Sequence, residues 1–407
     1  MNLVILTQYY PPEIGAPQAR LSELAAQFVE RGHKVTVLTA MPNYPEGRIH
    51  EGYGGLMRRE SQDGVDVIRT FIYPTQKADF VRRLTNYFSF AFSSALIGSF
   101  RLPRADYLLV ESPPLFLGIS AFWLSRLKKS RMIFNVSDLW PESAARLGVL
   151  DPQSLAYRLS ERLEAFFYRH AWLTTGQSKT ILSSIVGRFP SCPVFHLSNG
   201  VDSQKFSPEL RPDSASTEFR TNGEMIAMYA GLHGLAQGLD QILAAADILR
   251  NDGVRFVLVG DGPEKKLLVE QAQRQVLANV RFLDPRTAPE MPSLLAASDV
   301  ALVTLKTYIP GAVPSKLYEA MATGRALVLV AKGEAADIVT ENQAGITVEP
   351  GDIDGLAEAL RRLRAEPELR RKLGQNGRRA AEEIFDRRKV IARFVDHLEA
   401  DLTARTA

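Results

Sequence analysis

Thiol chemistry is almost absent from this sequence: Cys192 is the only cysteine in 407 residues. That excludes an intramolecular disulfide and a thiolate-based metal cluster, and it fits a reducing compartment, so a cytoplasmic location is expected. No secretory lead is expected either. Met1–Leu6 is apolar but short, has no basic residue before it and runs straight into a turn. Long hydrophobic runs are scarce. The stretch Leu84–Phe100 carries no charge over 17 residues, at the lower edge of what a membrane span needs. A span there would divide a continuous series of strands and helices between two sides of a membrane, so it is rejected. Two readings stay open for this stretch. It is either a helix buried against a sheet, or one lying in the cytoplasmic leaflet with Arg82, Arg83, Arg101 and Arg104 on lipid headgroups.

Hydrophobic residues make up 45% and charged residues 23%, an ordinary globular balance, and 407 residues exceed what one core usually supports. Two domains are therefore expected. The net charge of +3 is uneven: residues 1–204 hold 22 Lys and Arg against 17 Asp and Glu. Lys77 adds to the basic arginines named above, and no acid lies between Asp79 and Asp106. Such a half favours an anionic partner, lipid headgroups or a diphosphate, and no nucleic acid is expected.

The fold class follows from alternation. Asn2–Thr7 reads as a buried strand, and a helix with Leu21, Leu24, Ala25, Phe28 and Val29 at helical spacing follows it. Gly32 ends that helix, and Lys34–Thr39 is the second strand. This is a βαβ unit, hence a parallel α/β sheet. Strands at Val65–Thr70, Tyr107–Glu111, Arg131–Val136 and Trp172–Thr175 continue it, and Val194–Asp202 closes the first domain as a strand and turn. Polar residues from about Ser207 to Asn222 read as a linker. A second series begins at Met225–Ala230 and runs through Phe256–Val259, Val280–Pro285, Val300–Leu305 and Ala326–Val330. One long helical run is expected from about Ala380 to the end.

Ligands collect at the carboxyl ends of such strands. At the first of these ends lies the loop Gln8–Pro17, with Glu13 and with Gly15, whose backbone can approach a phosphate. Asp138, beside Trp140, stands at another and suits sugar hydroxyls, although an Asp capping the next helix reads equally well. In the second half, Gly231, His233, Gly234, Gln237 and Gly238 lie on a strand-to-helix turn that suits a diphosphate. Gly260 sits in a tight loop, and Pro285 ends a backbone edge where a base can be read. The segment Val313–Gly324 is the centre of the reading. Pro314 and Ser315 read as a helix start, with Ser315 as the cap. Lys316, with Val313 and Leu317 beside it, joins the helix N-terminus in an anion site, and Glu319 offers a carboxylate to a ribose diol.

With these residues the chain resembles the GT-B-fold glycosyltransferases of family 4, a retaining, nucleotide-sugar-dependent group, and the resemblance covers essentially the whole chain. It rests on the first loop Pro11-Pro12-Glu13 with Gly15-Ala16, on Ser198–Asp202 followed by Phe206, on Val259–Pro263, and on the Pro314–Gly324 helix. Through Asp138–Ser143 and Pro314-Ser315-Lys316 it looks most like bacterial N-acetylfucosamine-type O-antigen and capsule glycosyltransferases. The resemblance implies two Rossmann-like domains facing across a cleft: 1–206 for the acceptor and 207–385 for the nucleotide sugar, with a helix 386–407 crossing back to the first. It also implies a UDP-linked donor and a glycan or polyprenyl-diphosphate-linked acceptor. From the residues themselves, peripheral contact with the cytoplasmic membrane is expected through 82–104 if that stretch lies in the leaflet, and no cofactor or metal is expected. Glu319 would match the second Glu of the family's Glu-x7-Glu motif. The first falls on Gly311, the usual Arg and Lys of the phosphate loop are Leu232 and Gln237, and the usual His is Ser137. Lys316 is expected to supply the missing positive charge, with Asp138 and Glu13 orienting sugar or acceptor. A same-fold nucleotide-sugar epimerase and a non-catalytic nucleotide-sugar-binding subunit are the competing readings.

Overall fold

A computed structural model describes residues 1–44, 46–75, 80–146, 148–210 and 223–406. Lys77 and most of the expected linker, residues 211–222, lie outside them. The chain forms two units, Met1–Ser198 with Ile391–Ala407, and Asn199–Val390.

The first unit is built on an 8-stranded sheet in the order β3-β4-β2-β1-β5-β6-β7-β8. Its strands are β1 (Asn2–Leu6), β2 (Lys34–Ala40), β3 (Met57–Gln62), β4 (Val65–Thr70), β5 (Tyr107–Ser112), β6 (Arg131–Val136), β7 (Leu173–Gly176) and β8 (Val194–His196). All neighbours are parallel except β3 on β4. The central strands are Val-, Ile- and Leu-rich and buried on both faces, because helices cover each side of a parallel sheet. Helix α1 (Ala16–Glu30) follows β1, α2 (Phe80–Arg101) precedes β5, and α3 (Leu117–Lys128) joins β5 to β6. The order reverses between β1 and β5, so the loops after Leu6 and Ser112 flank a topological switch point.

β3 carries no apolar alternation (Met-Arg-Arg-Glu-Ser-Gln), which is why it cannot be read as a strand. It is an edge strand held by charge: Arg59 grips Asp66 on β4 through two bonds of 2.7 and 2.8 Å.

The second unit has a 6-stranded, all-parallel sheet in the order β11-β10-β9-β12-β13-β14. Its strands are β9 (Met225–Ala230), β10 (Val254–Val259), β11 (Val280–Leu283), β12 (Val300–Thr304), β13 (Ala326–Val330) and β14 (Gly345–Val348). Counted from β9 this is the dinucleotide-binding order 3-2-1-4-5-6, with its switch point between β9 and β12.

Two expectations are corrected. The turn Asn199–Val201 does not close the first unit. Val201 N–H donates to Phe385 O at 2.9 Å and Val201 O accepts from Arg387 N–H at 2.8 Å, which ties the turn into the second. The boundary thus lies at Ser198, ahead of the expected 206. The C-terminal run is two helices, Pro367–Glu383 and Arg387–Thr406, broken where Phe385 turns into a core with Tyr318. From Ile391 onward the last helix belongs to the first unit, with Phe394, Val395 and Leu398 fully buried.

Candidate active site

The second unit's strand ends are locked backbone to backbone. Gly231 N–H donates to Val259 O at 2.9 Å, His233 N–H to Asp261 O at 2.8 Å, and Glu264 N–H to His233 O at 3.0 Å. The approach is too close for a side chain. A Cβ on Gly260 would lie 1.9 Å from Gly231 O, and one on Gly262 would lie 2.4 Å from His233 O. Both glycines also have positive φ, 137° and 155°. Gly234 and Gln237 lie on the same turn, and Thr304 at the end of β12 donates to Gln237 O at 2.7 Å. The turn thereby spans the switch point. His233 lies on this turn as the sequence places it. Its side chain is wholly buried between Tyr229 and Phe282, and burial lowers its basicity, so only its backbone faces the turn's hydrogen-bond network. Pro285 stands exposed beyond β11.

The helix Ser315–Ala322 begins with Pro314 at the cap position and no side-chain cap bond. Ser315 is therefore the first helical residue rather than the cap, because Pro314 already supplies the extended backbone (ψ 133°) that turns the chain inward. Leaving the N-terminus uncapped keeps backbone donors available to an anion. Val313 and Leu317 are buried and seat this end of the helix in the core. Gly324, at φ 66°, ends it as the sequence suggests.

Lys316 reaches from this helix to the glycine turn. A Cβ on Gly231 would fall 2.0 Å from Lys316 Cε, so the lysine stem occupies the space that glycine leaves open. Its ammonium sits 5.9 Å from the Tyr229 ring centroid. Burial lowers the lysine's pKa, and nearby Glu319 opposes the shift. Burial raises that of Glu319, with Lys316, Arg387 and Lys205 acting against it. A desolvated cation and anion one helical turn apart, both short of partners, are groups that gain most when a ligand supplies opposite charge and hydroxyls.

In the first unit, Gly15 caps the N-terminus of α1 in an extended conformation. Glu13 is buried, and its carboxylate accepts from Tyr10 N–H at 3.2 Å, Asn43 N–H at 2.8 Å and Tyr44 N–H at 2.9 Å. Those bonds offset part of the rise that burial imposes on its pKa, and they tie the loop after β1 to the loop after β2. Glu13 thus braces the first loop through three of its acceptor positions. Asp138 is half-buried behind β6, where burial raises its pKa while Ser143 and the Leu139 N–H stabilise its charge. It precedes the short helix Glu142–Arg146 and is not closed off from solvent.

A buried network behind these residues escaped the sequence reading. Arg20 on α1 pairs with Glu111 at 2.6 Å and donates to Ser137 Oγ at 2.8 Å. Asn135 donates to the other Glu111 oxygen at 2.5 Å, and Thr175 donates to Asn135 at 2.6 Å. Ser137, where the resembled family has a histidine, also donates to Glu111. The one available signal was Glu111 ending an otherwise apolar strand. No group of three or more His, Cys, Asp and Glu side chains that could hold a metal ion occurs among the described residues. The only Asp-x-Asp, Asp352-Ile353-Asp354, is consumed as a helix start, Asp352 accepting from Gly355 N–H at 2.9 Å.

Comparison with known proteins gives these two units a lineage. Residues 15–191 match the glycosyl transferase 4-like domain, and residues 212–380 match the glycosyl transferases group 1. A putative colanic acid biosynthesis glycosyl transferase of Escherichia coli is 25% identical over 411 residues, covering 98% of this chain and 100% of that protein. A probable glycosyltransferase of Pseudomonas aeruginosa is 30% identical over 278 residues, 67% of this chain and 69% of its own length. Among solved structures, Anabaena HepE in complex with UDP and glucose superposes with a TM-score of 0.73 at 17% identity, covering 98% of this chain and all of that one. Sucrose-phosphate synthase from Thermosynechococcus elongatus superposes at 0.75, also at 17% identity and over 99% of this chain. The chain has the GT-B fold and belongs to the family 4-type glycosyltransferases.

Proposed function

We propose that this glycosyltransferase moves a hexosyl group, an N-acetylated amino-deoxyhexose, from a UDP-linked donor to a glycan or lipid-linked saccharide in bacterial surface polysaccharide synthesis, with retention and without a metal. The observation that carries the reading is Lys316, folded against Gly231 at an uncapped helix N-terminus on the switch point of a dinucleotide-binding sheet. Departure of the nucleoside diphosphate builds negative charge on its outer phosphate. Donors fixed toward such charge give the largest single contribution to many reactions, and loss of one costs about 2.7–4 kcal/mol. Lys316 and the N–H groups of the helix and glycine turn supply that charge complement. Glu319 receives the ribose hydroxyls. Attack from the leaving-group face, with the departing phosphate taking the acceptor's proton, retains configuration without a protein nucleophile. The relatives lend support: one is named for colanic acid biosynthesis, and one solved neighbour holds UDP with glucose.

Thermal-shift binding of UDP, GDP, ADP and TDP, with and without a chelator, tests the donor site. Stabilisation by UDP that survives the chelator and vanishes in Glu319→Ala is expected, and no shift with any of the four would sink the proposal. Nucleotide release that appears only when a saccharide acceptor is added separates transfer from epimerisation on the same fold and from binding alone.

A further inference from the structure

Helix α2 has two apolar faces, and the fold uses only one. Phe90 and Ser94 are fully buried, and a Cβ on Gly98 would touch Leu124 at 2.9 Å and Leu38 at 3.0 Å, so this face is closed against α3 and the sheet. The opposite face runs Phe88, Phe92, Leu96, Phe100 at four-residue spacing. Phe92 is 72% and Phe100 80% exposed. α3 lies alongside and adds Ile119, Trp123 and Leu127, with Trp123 57% exposed. Ser94 and Ser120 bond across the helix pair at 2.9 Å, and Trp123 Nε1 donates to Ser99 at 3.0 Å, which fixes the two helices as one surface. Between them runs a groove of about 750 Å³, walled almost wholly by these apolar side chains. Exposed apolar patches of this kind mark interaction sites.

Charge says what covers it. Arg82 and Arg83 stand exposed at one end of the stripe, and Arg101, Arg104, Arg126 and Lys129 at the other. No acid occurs between Asp79 and Asp106 or between Glu111 and Asp138. From Arg83 to Arg101 the helix is about 27 Å long, and no helix of the described residues is long and apolar enough to cross a membrane. A second copy docked by two-fold symmetry would set basic rim against basic rim.

We infer that the α2–α3 face lies on an anionic lipid bilayer, aromatic side chains in the acyl boundary and the six basic residues on headgroups. The surface continues toward the first unit's candidate site. The Phe88 ring meets Phe116 at 4.6 Å, and Phe116 meets Trp140 at 5.6 Å, two residues from Asp138. A small hollow of about 120 Å³ lies along this line, bounded by Arg83, Tyr87, Phe116 and Trp140. Docking therefore sets that hollow at the membrane plane, where a lipid-anchored diphosphate would present its saccharide. This last step rests on the transferase reading above; the docking itself does not.

The test is co-sedimentation of the full chain with vesicles of phosphatidylglycerol and phosphatidylethanolamine, against vesicles of phosphatidylcholine alone. Binding to the first, weak binding to the second and loss at high salt are expected. Phe92→Ser with Phe100→Ser should weaken vesicle partition about tenfold or more. Each of Arg82→Gln and Arg101→Gln should weaken it about fivefold. Retained nucleotide thermal shift in these variants shows that the fold survives. A wild-type chain that binds nucleotide but not anionic vesicles overturns the inference, and so does a stable dimer that Phe92→Ser with Phe100→Ser dissociates. Vesicle binding without any nucleotide shift leaves the docking face standing and overturns the donor-site reading instead.

Discussion

The two units solve one problem, holding loops rigid at the carboxyl ends of a parallel sheet, by different means. In the second unit, glycines let backbone bond directly to backbone, as where Gly260 and Gly262 admit the Gly231–His233 turn. In the first, side chains do it: Arg20, Glu111, Asn135, Ser137 and Thr175 form a buried network, and Glu13 ties two loops through three amides. A backbone scaffold suits a ligand part that does not vary, such as a diphosphate. A side-chain scaffold can be re-specified one residue at a time, which suits a variable acceptor.

Breaking the side-chain scaffold should have the largest effect. Glu111→Ala removes one partner of the buried Arg20–Glu111 pair and should cost about 3–5 kcal/mol. All three tryptophans, Trp123, Trp140 and Trp172, lie in the first unit, so urea unfolding followed by tryptophan fluorescence reads this loss directly. An unchanged midpoint would show that the network is not structural. The backbone scaffold should break differently. Gly260→Ala places a Cβ against Gly231 O at a positive φ, and should cost about 3 kcal/mol. That loss is expected in circular dichroism and nucleotide binding ahead of tryptophan fluorescence.

Next comes the charge that the glycine turn shelters. Lys316→Ala should lower turnover by about 2.7–4 kcal/mol of barrier while leaving the unfolding midpoint nearly unchanged, and near-normal turnover would refute its role. The pH profile gives a finer test. Glu319 must be ionised to accept hydroxyl donors, and burial raises its pKa, so donor binding should fail on the acid side earlier than for an ordinary carboxylate. Lys316 must be protonated, and burial lowers its pKa, so the alkaline limb should also move inward. Lys316→Arg keeps its charge at all working pH and should push only the alkaline limb outward.

The sequence is legible where burial is two-sided. β4, β6, β9 and β13 appear in it with their observed limits, because short, mostly apolar runs between turns have few other stable placements. β3 is invisible because it is an exposed edge strand, paired to β4 through its backbone and ion pairs, which leave no apolar period. The helix that starts at Pro314 was readable for a related reason. Pro314, Lys316, Glu319 and Gly324 carry backbone and charge demands in their own identities, although Ser315 lost the cap to Pro314. Glu13 and Arg20 were not readable in their roles. Their partners, Asn43 and Glu111, are far off in sequence, and nothing local distinguishes a braced carboxylate from a catalytic one.

The smallest effect concerns the seam where the chain returns to the first unit. Tyr107, fully buried on β5, donates to Leu398 O at 3.0 Å and to Asp401 at 2.6 Å. Arg131 also binds Asp401, so the carboxylate keeps a partner when the phenol is removed. Tyr107→Phe preserves ring packing against Trp172 and deletes only the hydroxyl. It should cost about 1 kcal/mol, for the two bonds the hydroxyl donates, because the Leu398 carbonyl keeps its helical partner. Hydrogen exchange of the amides from 391 to 406 is the sensitive readout, because a terminal helix tied to the sheet by side-chain bonds opens locally before the sheet does. Faster exchange confined to those amides, with donor binding unaltered, would place the last helix among the side-chain-held features of the first unit. Unchanged exchange would mean that burial of Phe394, Val395 and Leu398 suffices to hold it.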